Sequence, residues 1–412
     1  MNRWRCSRCG SDYPLAAHRY LCDRDEGRLG LELDGAAPTI TADDTTMWRY
    51  ADLLPFARDS GGVAAMRARY PCGWTPLTAR PGLFGVDDLW VKNEAVNPTG
   101  SLKDRASAAV VAAALDHGHR VVAAASTGNA ATALAAAVAA AGGLDCVVFV
   151  PGRVTAARVA RLRGFGATVL VVDGDYDTAV RLSLDACAGF GWYCRTTAIN
   201  PYTTQGKKTA ALEIAEQLAG HAPDAVVVAV GDGNILVGLH HGFRDAVRAG
   251  LLDRVPRLIG VQATGARAVY RAWAAGATEV APAPADTVAA GISVGDPMDG
   301  TRALAALRDT AGLAVTVTDA EITAAVTRLA AAGIGAEPSS ATAFAALPAL
   351  LSGGELAPHH RVVVINTGDG ALLGHPVPAS EPRVAPTVSA VRAATPALPH
   401  GVPGIFAAHA HP

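Results

Sequence analysis

The sequence predicts an α/β protein of mainly parallel sheets covered by helices, and three observations predict it. From about Leu89 to Leu372, short Val- and Ile-rich runs alternate with alanine-rich helical patterns: RVVAAAS, GNAATALAAAVAAAG, DCVVFVPG, TAARVARLRGFG and ATVLVVDG follow one another. Further apolar runs at 225–233 (AVVVAVGDG), 256–263 (PRLIGVQA) and 361–370 (RVVVINTGDG) each lead into a Gly-containing turn. Repeated strand–helix–strand units of this length pair their strands in parallel and place helices on both faces. Ligands of such sheets collect where the strands end, so those turns are the first places to look for chemistry.

Taken in order, residues 1–35 read as a separate small module, with Cys6, Cys9, Cys22, clustered charge and only short apolar pieces. Residues 36–105 and 201–378 read as a large domain, with 106–200 forming a smaller α/β domain. From Ala379 the chain is Pro- and Ala-rich and weakly periodic, which is expected to leave a tail without a face to bury. The 412 residues carry 35 Lys+Arg against 37 Asp+Glu, without a long run of one sign, which argues against nucleic acid or an anionic membrane as partner. The longest apolar stretch, around Ala130 to Ala141, is shorter than the ~20 residues of a membrane span, and MNRWRCSRCG lacks an apolar leader core. The expectation is a cytoplasmic protein with reduced thiols, since seven unevenly spaced cysteines fit no disulfide framework. A homodimer is the expected assembly.

Three segments carry chemistry. In KNEAVNPTGSLKDRASAAVVAAAL, Lys103 stands where a helix begins, and the positive end of the helix together with Arg105 disfavours an ammonium there. Such a lysine is prepared to form a Schiff base, although an ordinary turn with a solvated lysine at a helix start would look the same. In AAASTGNAATALAAAVAAAG, a strand ends at Ser126 and Thr127, where hydroxyls, backbone N–H groups and a helix N-terminus suit a carboxylate; a plain helix cap would look the same. In VGDGNILVGLHHGF, Gly231, Asp232, Gly233 and Asn234 form a glycine-rich turn opening a helix, which suits a phosphate or a simple change of direction.

The set NPTGSLKDR, STGNAATA, INPYTTQGKKT, VGDGNILVGLHHGF, TVAAGISVGDP, GAEPSSATA and NTGDG, in that order, closely resembles threonine synthase and its relatives among pyridoxal-phosphate enzymes of the tryptophan-synthase-β type (fold type II). The resemblance spans roughly Cys6 to Gly370 and implies two open, twisted, mainly parallel sheets. It implies pyridoxal 5'-phosphate as cofactor and a small amino acid as substrate, with elimination of phosphate or a related leaving group and addition of water. Lys103 would be the cofactor-bearing lysine and the base at the substrate's α and β carbons. Asn129 would hydrogen-bond the ring hydroxyl, while Ser126 and Thr127 take the substrate carboxylate. Gly231, Asp232, Gly233, Asn234 and Ile235 match the cofactor-phosphate loop, and Thr367 aligns with the hydroxyl residue facing the ring nitrogen. A neutral hydroxyl there gives a milder electron sink, suited to elimination and replacement.

The pattern departs at the substrate's phosphate. Ala130 stands where a threonine is usual and Asp175 where an asparagine is usual, while Arg181 and Asn200 match the phosphate-contacting positions. A carboxylate beside a phosphate dianion is repulsive, so a substrate other than O-phosphohomoserine, used by a β-replacement or β-elimination enzyme, is the competing expectation. A non-catalytic relative would have no use for Lys103 and a cofactor pocket. The module at 1–35 resembles the family's zinc-ribbon-like extension, but Cys6, Cys9 and Cys22 supply three thiolates where four are usual, leaving Asp25 or His18 as substitute. The module is expected to fold onto the large domain with partial or no zinc.

Overall fold

The computed structural model describes residues 2–15, 19–34, 38–57, 59–369 and 383–397. The chain divides into two compact units, one made of Met1–Cys72, Lys103–Gly206 and the segment from Leu372, the other of Gly73–Leu102 and Lys207–Ala371.

In the unit containing Gly73–Leu102, the six-stranded sheet runs Leu313–Val317, Arg257–Ala263, Ala225–Ala229, Arg361–Asn366, Asp88–Asn93, Leu77–Ala79. All pairings are parallel except the last, in which Leu77–Ala79 lies antiparallel to Asp88–Asn93. The central strand Ala225–Ala229 is buried at every residue, as an apolar run covered on both faces must be. Its layer of Val227, Ile259, Val261, Val362 and Val364 continues into the helical Phe344 and Leu347. Burial here also includes an ion pair, Lys92 Nζ to Glu213 Oε2 at 2.6 Å, with both side chains fully enclosed. Glu213 additionally accepts the N–H groups of Trp74 and Thr75, so the carboxylate is fully engaged inside the unit.

The other unit carries a five-stranded, all-parallel sheet in the order Arg383–Val384, Thr168–Val172, Asp145–Pro151, Val121–Ala125, Tyr193–Cys194. The helix Lys103–Asp116 packs through alanines and valines, with Ala106 through Ala114 buried. It is tied to residues before Cys72: Ser60 Oγ donates to Asp116 Oδ2 at 2.5 Å and the Gly62 N–H to Asp116 Oδ1 at 2.8 Å. These bonds account for one difference from the expected division, since the segment preceding Cys72 belongs with 103–206 rather than with the larger sheet. The joins also shift, to Leu102/Lys103 and to Gly206/Lys207, inside the helix Tyr202–Gln217.

The N-terminal module is a three-stranded antiparallel sheet, with Arg3–Cys6 between Asp12–Pro14 and Leu29–Glu32. Contrary to expectation, it packs on the unit that carries the five-stranded sheet: Tyr20 Oη accepts the Cys194 N–H at 2.7 Å, and the Trp4 ring meets Tyr202 edge-on at 5.3 Å. Nor is the whole segment after Ala379 a structureless tail. Arg383–Val384 adds a strand beside Thr168–Val172, and the helix Val388–Ala394, capped by Thr387, buries Val391. The rest of that segment, like His18, lies outside the described residues.

Gly206 marks a close helix approach. A methyl group there would place its carbon 2.1 Å from the Arg105 carbonyl oxygen, whereas at Gly61 nothing stands within 4 Å. Gly206→Ala is therefore expected to cost about 3 kcal/mol, read as a lowered urea midpoint, while Gly61→Ala holds the midpoint or raises it.

Candidate active-site residues

The glycine turn after the strand Ala225–Ala229 is built by close approach. Gly233 caps the helix Asn234–Arg248 at φ +92°, and a side-chain carbon on it would sit 2.7 Å from the Asp299 carbonyl oxygen. Gly233 is thereby restricted to glycine, and at Gly231 the same carbon would meet Ile292 Cα at 3.0 Å, a tight fit. The turn is pinned by the Asp299 N–H to the Asp232 carbonyl at 2.9 Å, and by Asp232 Oδ1 accepting the Asn234 N–H at 3.1 Å. Asn234 is fully buried and works as a relay, its Oδ1 accepting Lys207 Nζ at 2.5 Å and its Nδ2 donating to Asp299 Oδ2 at 2.5 Å. Asp299 is answered in turn by Arg302 at 3.0 Å. A buried ammonium thus stands beside the first turn of a 15-residue helix, whose first N–H groups have no helical carbonyl to bond. That donor set is suited to a phosphate dianion.

In the same unit Thr367 follows the strand Arg361–Asn366 and is nearly buried. Its hydroxyl donates to Ser340 Oγ at 3.3 Å, and Ser340 donates to Asn366 Oδ1 at 2.6 Å. The Thr367 carbonyl accepts the Leu102 N–H at 2.9 Å, and Ser101 forms an isolated bridge with Gly368. The residue immediately before Lys103 is therefore fixed to the Thr367 segment.

Lys103 itself opens the helix Lys103–Asp116 and is partly buried, followed by the fully buried Asp104, which accepts Tyr70 Oη at 2.6 Å. Two sequence-predicted elements meet in the five-stranded sheet, where the turn 126–129 leaves the strand Val121–Ala125 and opens the helix Asn129–Ala141. Ser126 Oγ accepts the Gly128 N–H at 3.2 Å, and Ser126, Thr127 and Asn129 are all half-exposed. Arg158, on the helix Ala156–Gly164 after the neighbouring strand, donates Nη1 to Thr127 Oγ1 at 3.5 Å. A guanidinium beside this turn adds to the case for a carboxylate there.

The remaining predicted residues are placed differently. Asp175 is turned onto its own helix, Tyr176–Phe190, where Oδ1 accepts the Thr178 N–H at 2.8 Å and Thr178 Oγ1 at 2.7 Å. Those bonds, with Arg181 adding attraction, hold its carboxyl below the usual range, so it is ionised at neutral pH. Arg181 is exposed and reaches Thr178 Oγ1 at 3.4 Å. Asn200 is fully buried, donating to the Cys194 carbonyl at 2.8 Å and accepting the Tyr202 N–H at 2.9 Å. These bonds hold the turn between Cys194 and Tyr202.

Residues 68–368 match a family model described as pyridoxal-phosphate dependent enzyme. The chain belongs to this family. It is 36% identical over 379 residues to threonine synthase of Methanosarcina acetivorans, covering 89% of this chain and 91% of that protein. Threonine synthase of Mycobacterium tuberculosis is 34% identical over 325 residues, 75% of this chain and 88% of that one. Among solved structures, maize serine racemase superposes with a TM-score of 0.64 at 22% identity, covering 76% of this chain and 92% of that one, a likeness of fold.

Pyridoxal phosphate brings a phosphate dianion, a ring hydroxyl, a ring nitrogen and an aldehyde, and the residues present fit that set. The side-chain-free turn at Gly231 and Gly233 with the Lys207 ammonium fits the phosphate, and the Thr367–Ser340 hydroxyl pair fits a ring nitrogen. Sequence reasoning missed Lys207, Asp299, Ser340 and Arg158. The signal for Lys207 was present in QGKKT, but nothing in one dimension separates it from Lys208, which instead pairs with Asp245 at 2.7 Å. Burial pulls Lys208 below the usual lysine range and Asp245 opposes that shift. Lys207→Met is expected to weaken pyridoxal phosphate binding to the apoprotein about ten- to a hundredfold, as loss of a charged contact worth roughly 1.5–3 kcal/mol requires. An absorbance titration reads this, with Lys208→Met lowering thermal stability instead.

Proposed function

We propose that this chain is a pyridoxal-phosphate-dependent lyase of the threonine synthase type, which eliminates a leaving group from the Cβ or Cγ of a small amino acid and adds water. The single observation that supports it most is the glycine turn with its buried Lys207–Asn234–Asp299 relay, because that arrangement is costly to build and serves a bound phosphate. The relatives named threonine synthase align over most of both chains.

When bound, pyridoxal phosphate supplies an electron sink for the amino acid attached to it. In this reading Lys103 holds the cofactor covalently and, as a free amine, moves protons at the substrate's α and β carbons. Gly231, Asp232, Gly233, Asn234 and Ile235 bind the cofactor phosphate through backbone donors. Asn129 orients the ring through its hydroxyl, and the neutral Thr367 hydroxyl, steadied by Ser340, faces the ring nitrogen without delivering a full charge. Ser126 and Thr127 hold the substrate carboxylate, with the Arg158 guanidinium adding charge beside Thr127. A homodimer in the cytoplasm completes the proposal, and light scattering of the purified protein tests the assembly.

A second reading, a β-replacement or β-elimination enzyme for another amino acid, is favoured by one observation. Of the four positions matched to the substrate phosphate, Ala130 has no side-chain donor and Asp175 is an ionised carboxylate, while Arg181 and Asn200 keep donor groups. The deciding experiment is a panel of O-phosphohomoserine, O-phosphoserine, serine and threonine, following phosphate and amino-acid products. O-Phosphohomoserine is expected to turn over poorly. Ala130→Thr with Asp175→Asn should raise its kcat/KM about ten- to a hundredfold, the equivalent of one charged hydrogen bond. Asparagine caps a helix as well as aspartate does, so the helix Tyr176–Phe190 survives the change. Efficient threonine formation by the unaltered protein, with the double variant no better, would return the assignment to plain threonine synthase.

A further inference from the structure

In the N-terminal module, the three cysteines and Asp25 bring four metal-ligating groups together on a small fold. Cys6 ends the strand Arg3–Cys6, Cys9 lies in the turn that follows, and Cys22 opens a second turn closed by the isolated bridge Leu21–Arg28, with Asp25 at its tip. One ligand atom from each of Cys6, Cys9, Cys22 and Asp25 lies within 4.8 Å of all the others. Tetrahedral zinc with bonds of about 2.3 Å to sulfur and 2.1 Å to oxygen places its ligand atoms roughly 3.6–3.8 Å apart. Here Cys9 Sγ stands 3.6 Å from Cys22 Sγ, and Cys6 Sγ stands 3.2 Å from Asp25 Oδ1.

The surroundings prepare these atoms as ligands. The Arg8 N–H donates to Cys6 Sγ at 3.3 Å and the Arg24 N–H to Cys22 Sγ at 3.4 Å, so each turn directs a backbone donor at the sulfur two residues before it. Tyr13 Oη lies 3.0 Å from Cys22 Sγ. The Gly27 N–H fixes Asp25 Oδ1 at 2.9 Å, and Gly27 has to be glycine, since a side-chain carbon would lie 2.5 Å from Cys6 Sγ and 2.9 Å from that oxygen. Outer donors of this kind fix the orientation of metal ligands.

We propose that Cys6, Cys9, Cys22 and Asp25 form a structural site for one divalent, thiophilic metal of the zinc class, with three sulfurs and one carboxylate oxygen as ligands. Three thiolates select a soft or borderline cation over magnesium or calcium. Asp25 is the harder and more exchangeable ligand, so it sets the affinity of the site. The metal ties the two turns together in a module too short to be held by its own core.

Full-length protein, reduced and loaded with cobalt(II) in place of zinc, should bind one ion per chain, with a sulfur-to-cobalt charge-transfer band and the visible bands of a tetrahedral centre. Asp25→Ala should weaken binding at least about tenfold while retaining the charge-transfer band, and Asp25→Cys should tighten binding and intensify that band. These readouts do not involve catalysis, so they stand or fall separately from the lyase assignment. Failure of the reduced protein to take up cobalt would overturn the proposal, as would unchanged affinity in Asp25→Ala. Should Cys9→Ser fail to fold, the spectrum of the unaltered protein still decides.

Discussion

The glycine turn of the larger sheet depends on a buried positive charge. Lys207 is 1% exposed, and its ammonium is accepted by an asparagine carbonyl that is itself held by Asp299 and, beyond it, Arg302. An ammonium removed from water is costly unless every donor is answered, so the turn cannot drift without exposing that cost. Gly231 and Gly233 are the geometric counterpart: with no side chains, they let the backbone approach Ile292 and Asp299 closely and leave the helix N-terminus unshielded. Charge and shape therefore define the same small region, and an anion is the ligand that satisfies both.

The same physical arrangement recurs in the five-stranded sheet. Parallel strands place all their following turns at one edge, so the turn after Val121–Ala125 and the helix after Asp145–Pro151 become neighbours, and Arg158 reaches Thr127. Here the groups are hydroxyls, a helix N-terminus and a guanidinium, a less enclosed set than the Lys207 ammonium. Asn234 is wholly enclosed, whereas Ser126, Thr127 and Asn129 remain half-exposed.

Much of this was legible in the sequence, because it rests on period and punctuation. Continuous apolar runs such as AVVVA and RVVVIN identify strands covered on both faces, and the glycines at 231 and 233 identify the turn. Pairings between distant residues were not legible. Ser340 reaches Thr367 across 27 residues, and Lys207 reaches Asn234 across another 27, with neither contact implied by spacing. The Asp175 side chain was not legible in its bonds either: Thr178, three residues on, gives it both an N–H and a hydroxyl, so the carboxylate is held at the start of its own helix. The strand Arg383–Val384 escaped because two residues carry no period, and the docking of the N-terminal module because it depends on single aromatic residues, Tyr20 and Trp4.

The central claim separates two lysines: Lys103, at the start of its helix, carries the cofactor, and Lys207 stays a buried cation beside the phosphate-binding turn. Borohydride reduction of the protein loaded with pyridoxal phosphate, followed by proteolysis and mass mapping, tests this directly. The account predicts a single reduced pyridoxyl adduct on Lys103, absent in Lys103→Ala, with Lys207 unmodified. An adduct recovered on Lys207 or Lys208 would contradict it.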